Sequence, residues 1–375
     1  MNETHSSISR NTVVLAAGGT GGHLFPAQAL AEELVRRGLL VHLMTDERVR
    51  DYGKSFPALE IHIVPAATLT PRRPWALPFQ VLRLYRGYRK ARAVLEKLKP
   101  AAVVGFGGYP SFPPILAASR LKIPSLIHDQ NAVMGRANRV LARFATAVAA
   151  SFPKPANLPS SAARKLTFTG NPVRDLVLAV KAAAYPPLGA DLPFNLLVFG
   201  GSQGAKFFAD FMPEVIKELP KAVTRNLRLV QQCRGGDLEV VSAAYEAMEL
   251  SYEVQPFFAD MPKRIAAAHL VICRAGASTV AELGVIGRPA ILVPLPHAID
   301  NDQLRNAESF AAAGAGWVRA QAGLEPQEFA AFLTRLRYQE SELKQAAQAA
   351  LSHGRPDAAQ RLADLTERIA GKPAP

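Results

Sequence analysis

Short, mostly apolar runs separated by longer stretches of helical spacing set the first pattern in this chain. Val13 to Ala17, Val41 to Met44, Ala102 to Gly105 and Ser125 to His128 read as buried parallel strands with amphipathic helices between them. A second series occurs at Asn195 to Phe199, Leu227 to Gln231, Leu270 to Cys273 and Ala290 to Val293. Strand and helix alternating in this way predict an α/β fold, and two series predict two wound domains.

An internal repeat supports the same division. VVLAAGGTGGH from Val13 aligns with NLLVFGGSQGA from Asn195 at an offset of 182 residues, which places Gly18, Gly19 and Gly22 on Gly200, Gly201 and Gly204. Each half therefore opens with strand, Gly-rich turn and helix. The Ala- and Pro-rich segment Lys181 to Pro193 precedes the second series and reads as a linker, so the boundary is expected within Asn171 to Pro193. The domains are then residues 1–175 and 176–350. Beyond Pro326 the pattern is wholly helical, and Ala358, Leu362, Leu365 and Ile369 share one face, predicting a terminal helix over about 352–371 that packs on another element.

Composition narrows the class. With 375 residues, 49% hydrophobic and 20% charged, the chain is globular, which excludes disorder, collagen and a coiled coil as global readings. Cys233 and Cys273 form no CxxC pair and give no thiol framework for zinc or redox chemistry. The polar opening MNETHSSISRNT has no apolar signal core, so the protein is expected to stay in the cytoplasm. The longest uncharged run, Pro100 to Ser119, is interrupted by four prolines and the Gly107–Gly108 pair and predicts strand, loop and helix start, not a membrane span.

Forty-four Lys and Arg against 31 Asp and Glu leave +13, which suits nucleic acid, anionic lipid or a phosphorylated substrate. Its distribution favours lipid. Pro71 to Lys99 carries nine cations, among them Arg72, Arg73, Arg83 and Arg86, against Glu96 alone, a net of +8, interleaved with Trp75, Phe79, Val81, Leu82 and Tyr85. Such a segment docks on an anionic membrane surface; the alternative is a solvated basic helix whose Leu82, Tyr85, Val94, Leu95 and Leu98 pack inward.

A Gly-rich turn at a strand's carboxyl end admits phosphate or sugar close to the backbone, and the following helix offers free N–H groups. Tight turns with no ligand are the alternative for either repeat. Neither turn is the dinucleotide fingerprint, since Leu24 occupies the third glycine position, nor a P-loop, since Phe207 follows Lys206. His23 follows the first turn, as a structural residue or as a base for a hydroxyl. In Cys273 to Pro296 a strand turns at Gly276 into a helix with Ser278 and Thr279 in its first turn. Glu282, one turn inside, fits a ribose diol or a capping acid equally.

These residues carry a specific resemblance. GGTGGH (Gly18–His23), GFGGYPS (Gly105–Ser111), HDQN (His128–Asn131), GNPVR (Gly170–Arg174), GGSQGA (Gly200–Ala205), FFADM (Phe257–Met261), RAGAST with Glu282, and PLPHAIDNDQLRNA (Pro294–Ala307) occur in the order found in the MurG family of glycosyltransferases, over nearly the whole chain. Asp129 stands where that family usually has Glu, keeping the charge with a shorter reach. The resemblance implies a GT-B fold, two Rossmann-like domains facing across a cleft, with the terminal helix returning to the N-terminal domain.

It also implies transfer of N-acetylglucosamine from UDP-N-acetylglucosamine to the muramoyl 4-hydroxyl of undecaprenyl-linked lipid I, with inversion, giving lipid II for peptidoglycan. On the family's motifs, Thr20, Gly21, Gly22, Asn131, Arg174, Ser202, Phe258, Ala277, Ser278, Thr279, Glu282 and Gln303 bind the donor, with Phe258 beside the uracil. Gly108, Tyr109 and His128 bind the acceptor, and His23 is the catalytic base. The implied location is the cytoplasmic face of the inner membrane, peripherally bound, with other cell-wall synthesis proteins as partners and no nucleic acid. No DxD-type metal motif is evident, so no cofactor and no metal in the site are expected. Rival readings are a UDP-N-acetylglucosamine 2-epimerase of the same fold, a nicotinamide oxidoreductase with Asp46 on the ribose, and a nucleic-acid binder.

Overall fold

The computed structural model describes residues 11–18, 21–49, 56–68, 74–201, 206–296 and 298–371. The chain divides into two compact units, residues 1–175 with 357–375, and residues 176–356. In the first, β1 (Thr12–Ala16), β2 (Leu40–Thr45), β3 (Glu60–Ile63), β4 (Ala102–Gly105), β5 (Ser125–Asp129), β6 (Ala147–Ala150) and β7 (Leu166–Phe168) form one sheet. Its order is β3-β2-β1-β4-β5-β6-β7 and every pairing is parallel. The second unit repeats the plan with β8 (Phe194–Phe199), β9 (Leu227–Gln232), β10 (Ser251–Gln255), β11 (Leu270–Cys273), β12 (Ala290–Leu292) and β13 (Gly316–Val318), in the order β10-β9-β8-β11-β12-β13.

The central strands are mostly apolar at successive positions, as buried parallel strands are. In β1, Val13 and Leu15 enter one core with Leu24, Leu30 and Leu34, while Val14 and Ala16 enter another with Leu95, Ile115 and Ile127. All eight strands read from the sequence are present. Among the described residues five others, β3, β6, β7, β10 and β13, were not legible. β3 and β10 are half-exposed edges carrying Glu, His and Gln; β7 and β13 have three residues each; the buried β6 is AVAA, whose alanines carry no strand preference.

The segment Lys181 to Pro193 is not the free linker that its composition suggests. Buried Arg288 gathers the carbonyls of Ala183 and Ala184 at 3.1 and 2.9 Å, and Arg337 gathers those of Gly189, Ala190 and Leu192 within 3.1 Å. Tyr185 donates to His269 O at 2.6 Å. Two guanidiniums supply donors that prolines and a loop cannot supply to one another, so the segment straps the second unit.

The terminal helix spans Ala358–Ile369, shorter than expected because a turn at Gly354 to Asp357 ends the preceding helix, Glu340–His353. Leu362 and Leu365 join the β1 core, and Arg37, at the end of helix Gly21–Arg36, pairs with Asp364 and Glu367 at 2.6 Å and with buried Glu33 at 2.8 Å.

Candidate active site

In a parallel sheet all carboxyl ends lie along one edge, and the turns leaving β1, β4 and β5 meet there in the first unit. The hydroxyl of Ser111 shares its proton between Ala16 O and Gly107 O, each 2.8 Å away, which ties the β4 turn to the end of β1. Gly107 and Gly108 have φ of +85° and +71°, the left-handed region that favours glycine. At Gly108 a Cβ would stand 3.3 Å from the His23 ring, so the glycine also lets backbone approach the imidazole.

His23 lies in the first turn of helix Gly21–Arg36, half-buried, and its Nδ1 is 3.0 Å from Gln130 Oε1. The amide of Gln130 has only one possible orientation, because its nitrogen lies 3.0 Å from the carbonyl oxygen of His128, which must accept a proton. Oε1 therefore faces His23 and accepts from Nδ1–H, so the neutral ring is the tautomer whose lone pair lies on Nε2. The same amide nitrogen donates to His128 Nδ1 at 3.0 Å, and His128 Nε2–H donates to Gly170 O at 3.0 Å. Burial pushes His128 down to about 4, so it stays neutral and the chain of bonds keeps one direction.

His128, expected at the acceptor, is fully buried and tilted against Phe106 at 5.6 Å, with both ring nitrogens engaged within this unit. It acts on the site through Gln130, which the sequence reading did not select. Asp129 accepts from the backbone of Asn131 and Gly135 and from Asn138 Nδ2, at 3.2, 2.9 and 2.9 Å. Burial raises its carboxyl above the usual range, and these three donors pull the other way; the short side chain suffices to hold the loop carrying Asn131.

Beyond Gly170, the GNPVR segment returns to the helix: the Arg174 guanidinium lies 3.8 Å over the ring of Phe25, two residues after His23. Among the described residues nothing lies within 4 Å of the point where a Cβ on Gly22 would stand, while Gly21 is closed by Phe25. Tyr109 lines a cavity of about 480 Å³ with Asp46, Phe79, Gln80 and Arg83. The Asp46 carboxylate holds the Arg48 guanidinium, 2.9 Å from Nε, so it is not the free ribose ligand that a nicotinamide enzyme would need. Thr20 lies outside the described residues.

In the second unit Gly201 turns the chain after β8 at φ +87°, with none of the described residues within 4 Å of the point where a Cβ would stand; Ser202 lies outside the described residues. Helix Ala277–Ile286 starts after Gly276 at the end of β11, with Ser278 and Thr279 half-buried in its first turn and Glu282 buried one turn on. Ser278 Oγ is buried without a hydrogen-bond partner among the described residues. Asn306 donates to Ala275 O at 3.1 Å, and Gln303 Oε1 accepts from Leu295 N at 3.0 Å, which fixes the loop beside that helix.

Two differences from the sequence reading arise here. Phe258 is 3% exposed with Arg264 4.1 Å over its ring, whereas Phe257 is 59% exposed; a pair of adjacent phenylalanines does not reveal which one faces out. Arg274, not selected from the sequence, sits buried at the end of β11, donating to Val293 O, Pro294 O and Gln321 Oε1 at 3.0, 3.2 and 2.7 Å, and burial lowers its guanidinium below the usual value. RAGAST contained the signal: a cation directly before a helix N-terminus.

The basic segment is two-faced. Gly87, Ala91 and Leu95 bury one side of helix Leu77–Leu98, and Gly87 lies so close to Pro65 O that a Cβ would clash. Leu82 and Tyr85 do not pack inward: they are exposed, together with Trp75 at 72% and Phe79 at 76%. Arg83 and Arg86 are exposed beside them, and Arg72 and Arg73 lie outside the described residues. No helix among the described residues is long and apolar enough to cross a membrane.

Comparison with known proteins agrees with this architecture. Residues 13–150 match the Glycosyltransferase family 28 N-terminal domain and residues 195–362 the Glycosyltransferase family 28 C-terminal domain. The chain is 49% identical to the UDP-N-acetylglucosamine--N-acetylmuramyl-(pentapeptide) pyrophosphoryl-undecaprenol N-acetylglucosamine transferase of Rhizobium johnstonii, over 97% of both chains. It superposes on the crystal structure of Acinetobacter baumannii MurG with a TM-score of 0.75 and 33% identity, covering 96% of this chain and 99% of that one. A UDP-GlcNAc 2-epimerase from Neisseria meningitidis, at 14% identity and a TM-score of 0.66 over 94% of this chain and 98% of that one, shares the fold alone. Two Rossmann-like parallel sheets, the family 28 domains matched in order and 49% identity over nearly the full length place the chain in glycosyltransferase family 28, and within it in the MurG group.

Proposed function

We propose that the protein transfers N-acetylglucosamine from UDP-N-acetylglucosamine to the muramoyl 4-hydroxyl of lipid I, releasing UDP and forming lipid II. The observation that carries the chemical part is the bond from His23 Nδ1 to Gln130 Oε1, which puts the lone pair of the neutral ring on Nε2. Inversion by direct displacement needs one base for the attacking hydroxyl and fixed donors for the departing diphosphate. His23 Nε2 takes the hydroxyl proton as the oxygen attacks the anomeric carbon and the bond to the diphosphate breaks.

The donor binds in the second unit. Diphosphate oxygens meet the free N–H groups of helix Ala277–Ile286 and the hydroxyls of Ser278 and Thr279, the helix dipole favouring the growing negative charge. Buried Glu282 accepts from the ribose diol, Gln303 adds its amide, and the uracil stacks on the exposed ring of Phe257 with the Phe258 backbone beside it. Thr20, Gly21, Gly22, Asn131, Arg174 and Ser202 complete the donor contacts, and Gly108 and Tyr109 face the acceptor.

Trp75, Phe79, Val81, Leu82 and Tyr85 dock the protein peripherally on the cytoplasmic face of the membrane, where a lipid-linked acceptor is met. An apolar groove of about 540 Å³ between helices Leu77–Leu98 and Phe112–Arg120, lined by Val81, Tyr85, Tyr88, Phe112 and Leu116, continues this surface. A 2-epimerase would have no use for it. Incubation with labelled UDP-N-acetylglucosamine and a lipid I analogue should give a labelled disaccharide-lipid, and His23→Ala should lower turnover by about 10² to 10⁴. Near wild-type turnover in that variant would remove His23 from the chemistry, and absence of product with the wild type would reject the assignment.

A further inference from the structure

We infer that His42, Glu60 and His62 form a binding site for a late first-row divalent metal ion, zinc foremost, on the open edge of the first sheet. The site is separate from the turns that hold His23. β2 and β3 pair in parallel with His42 opposite Glu60 and Met44 opposite His62, so alternation along both strands brings the two histidines and the glutamate onto one face. His42 Nδ1 lies 3.1 Å from His62 Nε2, the rings stacked at 5.4 Å and 12°. The Glu60 oxygens lie 4.0 Å from His42 Nδ1 and 3.5 Å from His62 Nδ1, and one ligand atom from each of the three residues falls within 4.8 Å of the others.

Those separations suit coordination. A tetrahedral ion with bonds of about 2.0–2.1 Å keeps its ligand atoms about 3.4 Å apart. The imidazole nitrogens already stand near that distance, and Glu60, with a 62% exposed side chain, has room to close the remainder. An ion between His42 Nδ1, His62 Nε2 and a Glu60 oxygen would engage all three residues at once. Two imidazole nitrogens and one carboxylate favour a late first-row ion over calcium or magnesium, which take oxygen ligands. Glu60 lies on the outermost strand and His42 on its neighbour, so the ion would pin the edge of the sheet.

The test uses the full chain without a histidine tag. Cobalt titration, followed by visible ligand-field absorption, should show one saturable four-coordinate site per chain, from which zinc displaces the cobalt. His62→Ala should weaken cobalt binding by about tenfold or more, and zinc should raise the melting temperature of the wild type but not of that variant. Glu60→Gln, at an exposed position that leaves the fold alone, should also weaken binding, which keeps the inference testable if His62→Ala folds poorly. Absence of saturable binding in the wild type, or unchanged affinity in Glu60→Gln together with His62→Ala, would overturn it.

Discussion

His23 and Gln130, 107 residues apart, meet at 3.0 Å in a bond whose direction is set from behind, by the hold of Gln130 on the backbone and ring of His128. The tautomer of the proposed base thus depends on a neutral, buried amide. Replacing it by a carboxylate, Gln130→Glu, places negative charge beside Nδ1–H and favours the charged imidazole. The acid limb of the kcat/KM profile should then move to higher pH by about one unit. Gln130→Leu should lower kcat about tenfold and leave the donor KM unchanged. Loss of activity with an unmoved pH profile in Gln130→Glu would assign the residue to packing instead.

His128 gives a signature in stability. Its folded value of about 4 lies below the roughly 6.5 of an unfolded histidine, so as pH falls the unfolded chain takes up the proton first. The stabilisation is whole above pH 6.5 and is lost on descent towards pH 4, by at most about 3 kcal/mol. Urea unfolding of wild type and His128→Gln across this window should show the steeper loss in the wild type. Parallel slopes would mean that the ring is not held neutral.

For Glu282 two roles remain, on the donor ribose and at the start of its own helix. The first predicts that Glu282→Ala raises the donor KM by about tenfold or more while the melting temperature changes little. A lowered melting temperature with unchanged donor KM would favour the helix-end role.

The exposed aromatic pair Trp75 and Phe79 makes membrane docking measurable. Cosedimentation with vesicles should require anionic lipid and weaken as salt rises, since each cation near such a surface contributes about 1 kcal/mol at moderate salt. Trp75→Ala with Phe79→Ala should reduce binding to neutral-plus-anionic vesicles without altering the fold, both rings being outside the core. Undiminished binding by the double variant would move the docking surface elsewhere.

The sequence by itself determined the two-domain α/β plan, because a strand covered on both faces must be apolar at successive positions and because the Gly-rich turn recurs after β1 and β8. It also pointed to the Gly-rich turns as candidate sites, since glycines that permit close approach are visible as letters. Exposure was beyond its reach. Phe257 and Phe258, or Leu82 and Leu95, are the same kinds of residue in the alphabet, and only packing against Arg264 or the sheet separates the one that faces water from the one that does not. The proton on His23 is likewise a tertiary fact, set by Gln130 and behind it His128 and Gly170, residues that no local spacing joins. His42 and His62 meet for the same reason: β2 and β3 pair in parallel, and that register is a choice of the folded sheet.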